Sequence, residues 1–185
     1  MSLYNSPFGL APLYHPSGIL RPKRATVASG YNTNLFMGTP ITFVPGTASL
    51  SAAGTSGPAV GTFLGCEFTP ASGRRQYSPY WPAGQVATQI AAYYTDDPNI
   101  TYQIQANGSL AESSVGDQAN LTAEAGNTTT GFSTIALDTG TLTTNGNGLV
   151  RIVGISFGPW NNWGDAYTIV QVQISNHLFV ATRAA

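Results

Sequence analysis

Apolar and polar positions alternate with a period of two along much of this chain. In Ile100, Thr101, Tyr102, Gln103, Ile104 and Gln105 the even positions are apolar and the odd ones polar, the mark of a strand with one buried face. Residues 25–29, 40–44, 59–68, 86–95 and 99–105 are rich in β-branched and aromatic side chains and lie between Gly, Pro and Asn, which predicts strands joined by turns. Asp97, Pro98 and Asn99 supply turn chemistry, so residues 86–106 read as a hairpin. Residues 148–157 and 166–175 give the strongest strands, with Tyr167, Ile169, Val170, Val172 and Ile174 crowding the second. Residues 108–130 are small and polar and predict short strands on long loops.

The first 24 residues differ. Pro7, Pro12, Pro16 and Pro22 prevent a helix and favour extended backbone. Between them stand Tyr4, Phe8, Leu10, Leu13, Tyr14, Ile19 and Leu20, too apolar for a solvated linker. The segment therefore lies on something, either its own domain or a neighbouring subunit. Arg21, Lys23 and Arg24 mark its root as a basic, solvated hinge. The expected organisation is an extended proline-rich N-terminal arm, residues 1–24, on a single β-rich domain, residues 25–185. The fold class is all-β, a small β-barrel or sandwich core with long loops. Because the strands from Ala25 onward supply the predicted core, the arm reads as separable.

Composition narrows the function. Charged residues are 8% of 185, against about 25% in an ordinary domain, and a surface so poor in charge has little repulsion to keep copies apart. A homo-oligomer is expected. The formal net charge of -1 gives no basic field for nucleic acid, and no acid precedes Glu67, so the cations of the arm stand alone there. No apolar run of membrane-spanning length is present, and the first residues lack the charged and apolar regions of a signal peptide. The chain reads as soluble, made in the cytoplasm and free of membrane partners. Cys66 is the single cysteine, which excludes an internal disulfide or a thiolate metal cluster; no cofactor and no metal are expected.

Candidate chemistry is sparse. Gly154, Ile155, Ser156, Phe157 and Gly158 fit the spacing of a hydrolase nucleophile elbow, but the residues that follow, Pro159 to Gly164, lack the helical period such an elbow requires. A triad also needs a histidine in reach. His15 sits on the proline arm as a packing or hydrogen-bonding residue, and His177 caps a strand end. Asp96 and Asp97 read as part of a turn rather than as cation ligands. Four Asn-x-Ser/Thr triplets follow from the composition alone. The aromatic loop residues Tyr80, Trp81, Trp160 and Trp163 are either core plugs or contact anchors, and such a set also fits a sugar-stacking surface.

An ordered set of motifs resembles a known family. Pro7-Phe8-Gly9-Leu10, His15-Pro16-Ser17-Gly18, Ala28-Ser29-Gly30-Tyr31, Gly61-Thr62-Phe63-Leu64-Gly65-Cys66-Glu67-Phe68, Ser78-Pro79-Tyr80-Trp81-Pro82, Tyr94-Thr95-Asp96-Asp97-Pro98 and Trp163-Gly164-Asp165-Ala166 are similar to tailed-bacteriophage structural proteins encoded near the major capsid protein, of the decoration or cement type. The chain departs from them at Gly38-Thr39-Pro40-Ile41, where a Gly-Asp-Pro-Val turn would carry an acid. The resemblance implies a non-catalytic, β-rich subunit on the outer surface of the phage head, a virion protein made in the host cytoplasm. It also implies that the major capsid protein is the partner, with the shell stabilised by bridging adjacent capsomers, and that the homo-oligomer is a trimer in preference to a dimer. The arm residues Tyr4, Phe8, Leu10, Leu13, Tyr14, His15, Arg21, Lys23 and Arg24 are the expected capsid or subunit contacts, with Tyr80, Trp81, Trp160 and Trp163 as loop anchors. Another virion component, such as a tail or fibre protein, is the alternative, and a carbohydrate-binding module a more distant one.

Overall fold

Each strand read from the sequence forms in the computed structural model, which describes residues 2–123, 125–144 and 146–180. The chain is all-β. In order the strands are β1 Ala11–Tyr14, β2 Lys23–Val27, β3 Pro40–Phe43, β4 Ser49–Ala52, β5 Gly61–Pro70, β6 Gln76–Ser78, β7 Ala87–Tyr94, β8 Thr101–Gln105, β9 Gln118–Ala119, β10 Val150–Ile155 and β11 Ile169–Ile174. Single 3-10 turns at Glu112–Ser114 and Thr139–Thr141 are the helical pieces among the described residues.

The strands make two sheets, of five strands in the order β1-β8-β11-β10-β9 and six in the order β3-β4-β2-β7-β5-β6. In the second sheet β3 also pairs with β5, so β3, β4, β2, β7 and β5 close into a ring close to a small barrel. Val27, Leu35, Ile41, Leu50, Phe63, Phe68 and Trp81 fill its interior. Trp81 is fully buried and meets Phe68 edge-on at 5.3 Å. Its indole N–H donates to the Tyr31 carbonyl at 3.4 Å. Trp81 is thus the plug of the ring. A second cluster under the five-stranded sheet holds Leu10, Tyr102, Ile104, Leu137, Leu149, Ile152, Val170 and Val172, the inward-facing positions that the alternation of β8, β10 and β11 selects.

The predicted hairpin over residues 86–106 does not form, and this corrects the sequence reading. β7 is already paired on both edges, with β2 and with β5, and has none to offer β8. The chain instead crosses from the ring to the other sheet through residues 95–100. Asp97 shapes the crossing by accepting the Asn99 backbone N–H at 2.9 Å. Thr95, buried, accepts the Thr62 N–H at 3.0 Å and pairs with the Tyr102 hydroxyl at 2.9 Å, tying the sheets together. The backbones approach so closely here that a Cβ on Gly61 would lie 1.8 Å from the Thr95 carbonyl oxygen, a place only glycine can occupy.

The proline-rich segment packs on its own domain. β1 pairs with β8 and completes the open sheet, while Leu10 is fully buried in its core. Burial of that side chain contributes about 1.5–3 kcal/mol, so this part of the arm is not separable from the fold. Pro12 and a register shift between Pro12 and Tyr14 blunt the new edge against further pairing.

Candidate functional site at the arm and crossover

Two motifs 80 residues apart meet in space. The turn that follows β1 carries His15 and Ser17, the crossing between the sheets carries Asp96 and Asp97, and together with Ile19, Arg21, Lys23 and Ile100 they line a cavity of about 370 Å³. The first turn is locked by its own histidine. Nδ1 of His15 accepts the Ser17 N–H at 3.1 Å and lies 2.6 Å from the Ser17 hydroxyl. A backbone N–H only donates, so Nδ1 is the unprotonated nitrogen and the Ser17 hydroxyl is its second donor. The ring proton then sits on Nε2, which lies 3.2 Å from Asp97 Oδ2. That contact is close without being aligned as a hydrogen bond. The chain thereby brings a serine, a histidine and an aspartate together. The following Gly18 N–H, the nearest donor an oxyanion would use, instead bonds the His15 carbonyl at 2.8 Å. This arrangement closes a turn.

The charges around the cavity are mostly matched. Lys23, in β2, contacts Asp96 at 2.5 Å, and that hydrogen bond raises the ammonium above its ordinary value. Asp97 is held below the usual carboxylate range, chiefly by the Asn99 N–H and less by His15. Arg21 makes no ion pair among the described residues, whereas Arg24, the next residue along β2 from Lys23, faces the other side of the strand and helps to hold Glu67 below the usual carboxylate range. His177 approaches the same crossing from the other end of the chain. It is 5% exposed, its Nδ1 accepts the Phe179 N–H at 3.2 Å, and burial lowers its pKa.

The expected contact residues divide. Leu10 is core, Phe8 is half-buried and His15 is mostly covered, whereas Tyr4 (67%), Tyr14 (49%) and Leu13 (40%) are exposed. Ser6 N–H and the Tyr4 carbonyl are both held by the buried Gln105 amide, at 2.8 and 3.0 Å. Of the loop aromatics, Tyr80 stacks on Phe36 at 5.4 Å and Trp163 packs against the core of the open sheet. Trp160 projects into solvent at 66% exposure beside Phe157 at 92%. Phe157 carried no signal beyond its place in the rejected nucleophile motif. Ser156 itself is buried, with its N–H on the Ile169 carbonyl at 3.0 Å and its carbonyl accepting from Asn161. Cys66 is buried too, its thiol pushed up to about 12 by desolvation, and so stays protonated and unreactive at neutral pH. Among the described residues no cluster of three or more His, Cys, Asp or Glu side chains has the grouping of a metal site, and no helix is long and apolar enough to cross a membrane.

Comparison with protein-family models, with curated proteins and with solved structures found no match.

Proposed function

We propose that the protein is a non-catalytic structural subunit of a bacteriophage head, attached to the outside of the capsid shell through the exposed side of its N-terminal segment. The observation that carries this reading is the state of Leu13, Tyr14 and Ile19. They are exposed apolar side chains on a backbone fixed by β1 pairing on one flank and by the Lys23–Asp96 contact on the other. Apolar groups held in place before contact lose little entropy on docking. Arg21, which lines the same cavity as Ile19, favours a partner surface that carries acids. The scarcity of charge and the ordered motifs support the same assignment. Self-association as a trimer and contact with two or more capsomers at once would multiply such a weak single attachment through effective concentration.

The test is co-sedimentation with undecorated heads. Tyr14→Glu combined with Ile19→Glu is expected to leave the melting temperature unchanged and to abolish binding. Full binding by that variant, correctly folded, would exclude the segment as the attachment surface.

A further inference from the structure

The outer face of the five-stranded sheet is a second surface with its own chemistry. Strand alternation turns Gln103 of β8, Gln171 and Gln173 of β11, and Arg151 and Val153 of β10 away from the core. Register places Gln103 opposite Gln171 and Arg151 opposite Gln173, so one amide pair spans β8 and β11 and a third amide stands beside it along β11. Gln105 on the same strand uses both ends of its amide to hold the arm. The amides of Gln103, Gln171 and Gln173 make no hydrogen bond to another described residue. They are half-buried and keep a donor and an acceptor each for something outside the subunit. At the end of the face remote from Tyr14, Gln103 lines a cavity of about 150 Å³ with Ser156, Phe157, Trp160, Asn161 and Ile169.

We propose that this face binds a neutral oligosaccharide. The ligand class follows from what the face offers and lacks. Side-chain amides supply paired donors and acceptors that match vicinal hydroxyls, and the flat apolar rings of Trp160 and Phe157 suit the C–H face of a pyranose. Among the described residues of this face a polyanion finds only Arg151, where backbone phosphates or sulfates require several cations. A protein interface of useful strength centres on a buried apolar or aromatic anchor, whereas here the centre is amide and the aromatics stand at one end. An uncharged ligand draws nothing from the single guanidinium of this face, and binding is expected to be insensitive to salt.

The test uses the whole chain with maltohexaose, cellohexaose and chitohexaose, and a heparin hexasaccharide as the anionic comparison. At least one neutral hexasaccharide is expected to quench tryptophan fluorescence and to shift the side-chain amide resonances of Gln103, Gln171 and Gln173, equally at low and high salt. Gln171→Ala and Trp160→Ala should each weaken that binding by about tenfold or more with melting temperatures unchanged. Absence of binding by all three neutral sugars, or binding of the heparin fragment alone, overturns the proposal. So does loss of head binding or of self-association in Gln171→Arg, because the face would then be covered by protein.

Discussion

In the six-stranded sheet β3 returns to β5 and the strands close on one another, whereas the five-stranded sheet stays open and borrows its first edge strand from the N-terminal segment. The closed ring turns aromatic and branched side chains inward around Trp81 and leaves few backbone groups unpaired. The open sheet buries one face on aliphatic side chains and leaves the other to glutamines. Closure removes edges and leaves an outer face, whereas the open sheet keeps both an edge to be completed and a broad face to offer. Leu13, Tyr14, Ile19, Phe157 and Trp160 stand exposed around the open sheet and the segment that completes it, while the six-stranded sheet exposes Tyr77 and Val86.

That division is open to direct attack. The largest effect is expected at the ring: Trp81→Ala leaves a cavity where a fully buried indole stood and should cost about 3–5 kcal/mol, read as a fall of about 10 °C or more in melting temperature. A small effect would mean that the ring is not the stable half.

Next comes Leu10→Ala, expected to cost about 2–5 kcal/mol, against Leu13→Ala at no more than about 0.5 kcal/mol. The two leucines are three residues apart on one extended segment and differ in burial, so urea unfolding of both variants separates the share of the segment that is core from the share that is surface. Equal costs would show that the segment acts as one unit.

The smallest effect concerns the seam between the sheets. Burial depresses the His177 pKa, so above its ordinary value of 6.5 the folded and unfolded chains are both neutral there and pH has no influence through it. As pH falls below 6.5 the unfolded chain takes up a proton that the native chain does not, and stability is lost until the depressed native value is passed. Unfolding midpoints at pH 7.5 and pH 5.5, on either side of about 6.5, should therefore differ less in His177→Gln than in the parent. An identical difference in the two proteins would show that His177 does not sense this range.

The strands were legible because period-two alternation is a local property. Residues 100–105 announce β8 whatever surrounds them. β4 and β6 were not, since Ser49–Ala52 and Gln76–Ser78 are short, small or polar and owe their pairing to neighbours already in place, while β9, Gln118–Ala119, falls in the stretch read as short strands on long loops. The hairpin failed for a related reason. Turn residues at 97–99 show that the chain changes direction but not which sheet receives it, and that depended on β2 and β5 having taken both edges of β7. The candidate site was half legible. His15 and Asp97 each stood within a recognised motif, yet nothing local to either says that they meet. The plug reading of Trp81 and the exposure of Trp160 were open alternatives until packing decided them. The amide face was hidden because glutamines on the polar side of a strand look like ordinary solvated positions.

The pairing of β1 with β8 also sets an order of events. β1 is made before its partner, Thr101–Gln105, which emerges some 90 residues later, at a rate of roughly 5–20 residues per second. For those seconds Leu10 and its neighbours have no native place to go, while the ring strands β2 to β7 are contiguous in the chain and can assemble among themselves. Long-range closure of this kind is slow, so β1 docks only after the strands of the ring have been made, and the nascent protein passes through a stage in which the ring strands are complete and β1 still lacks its partner.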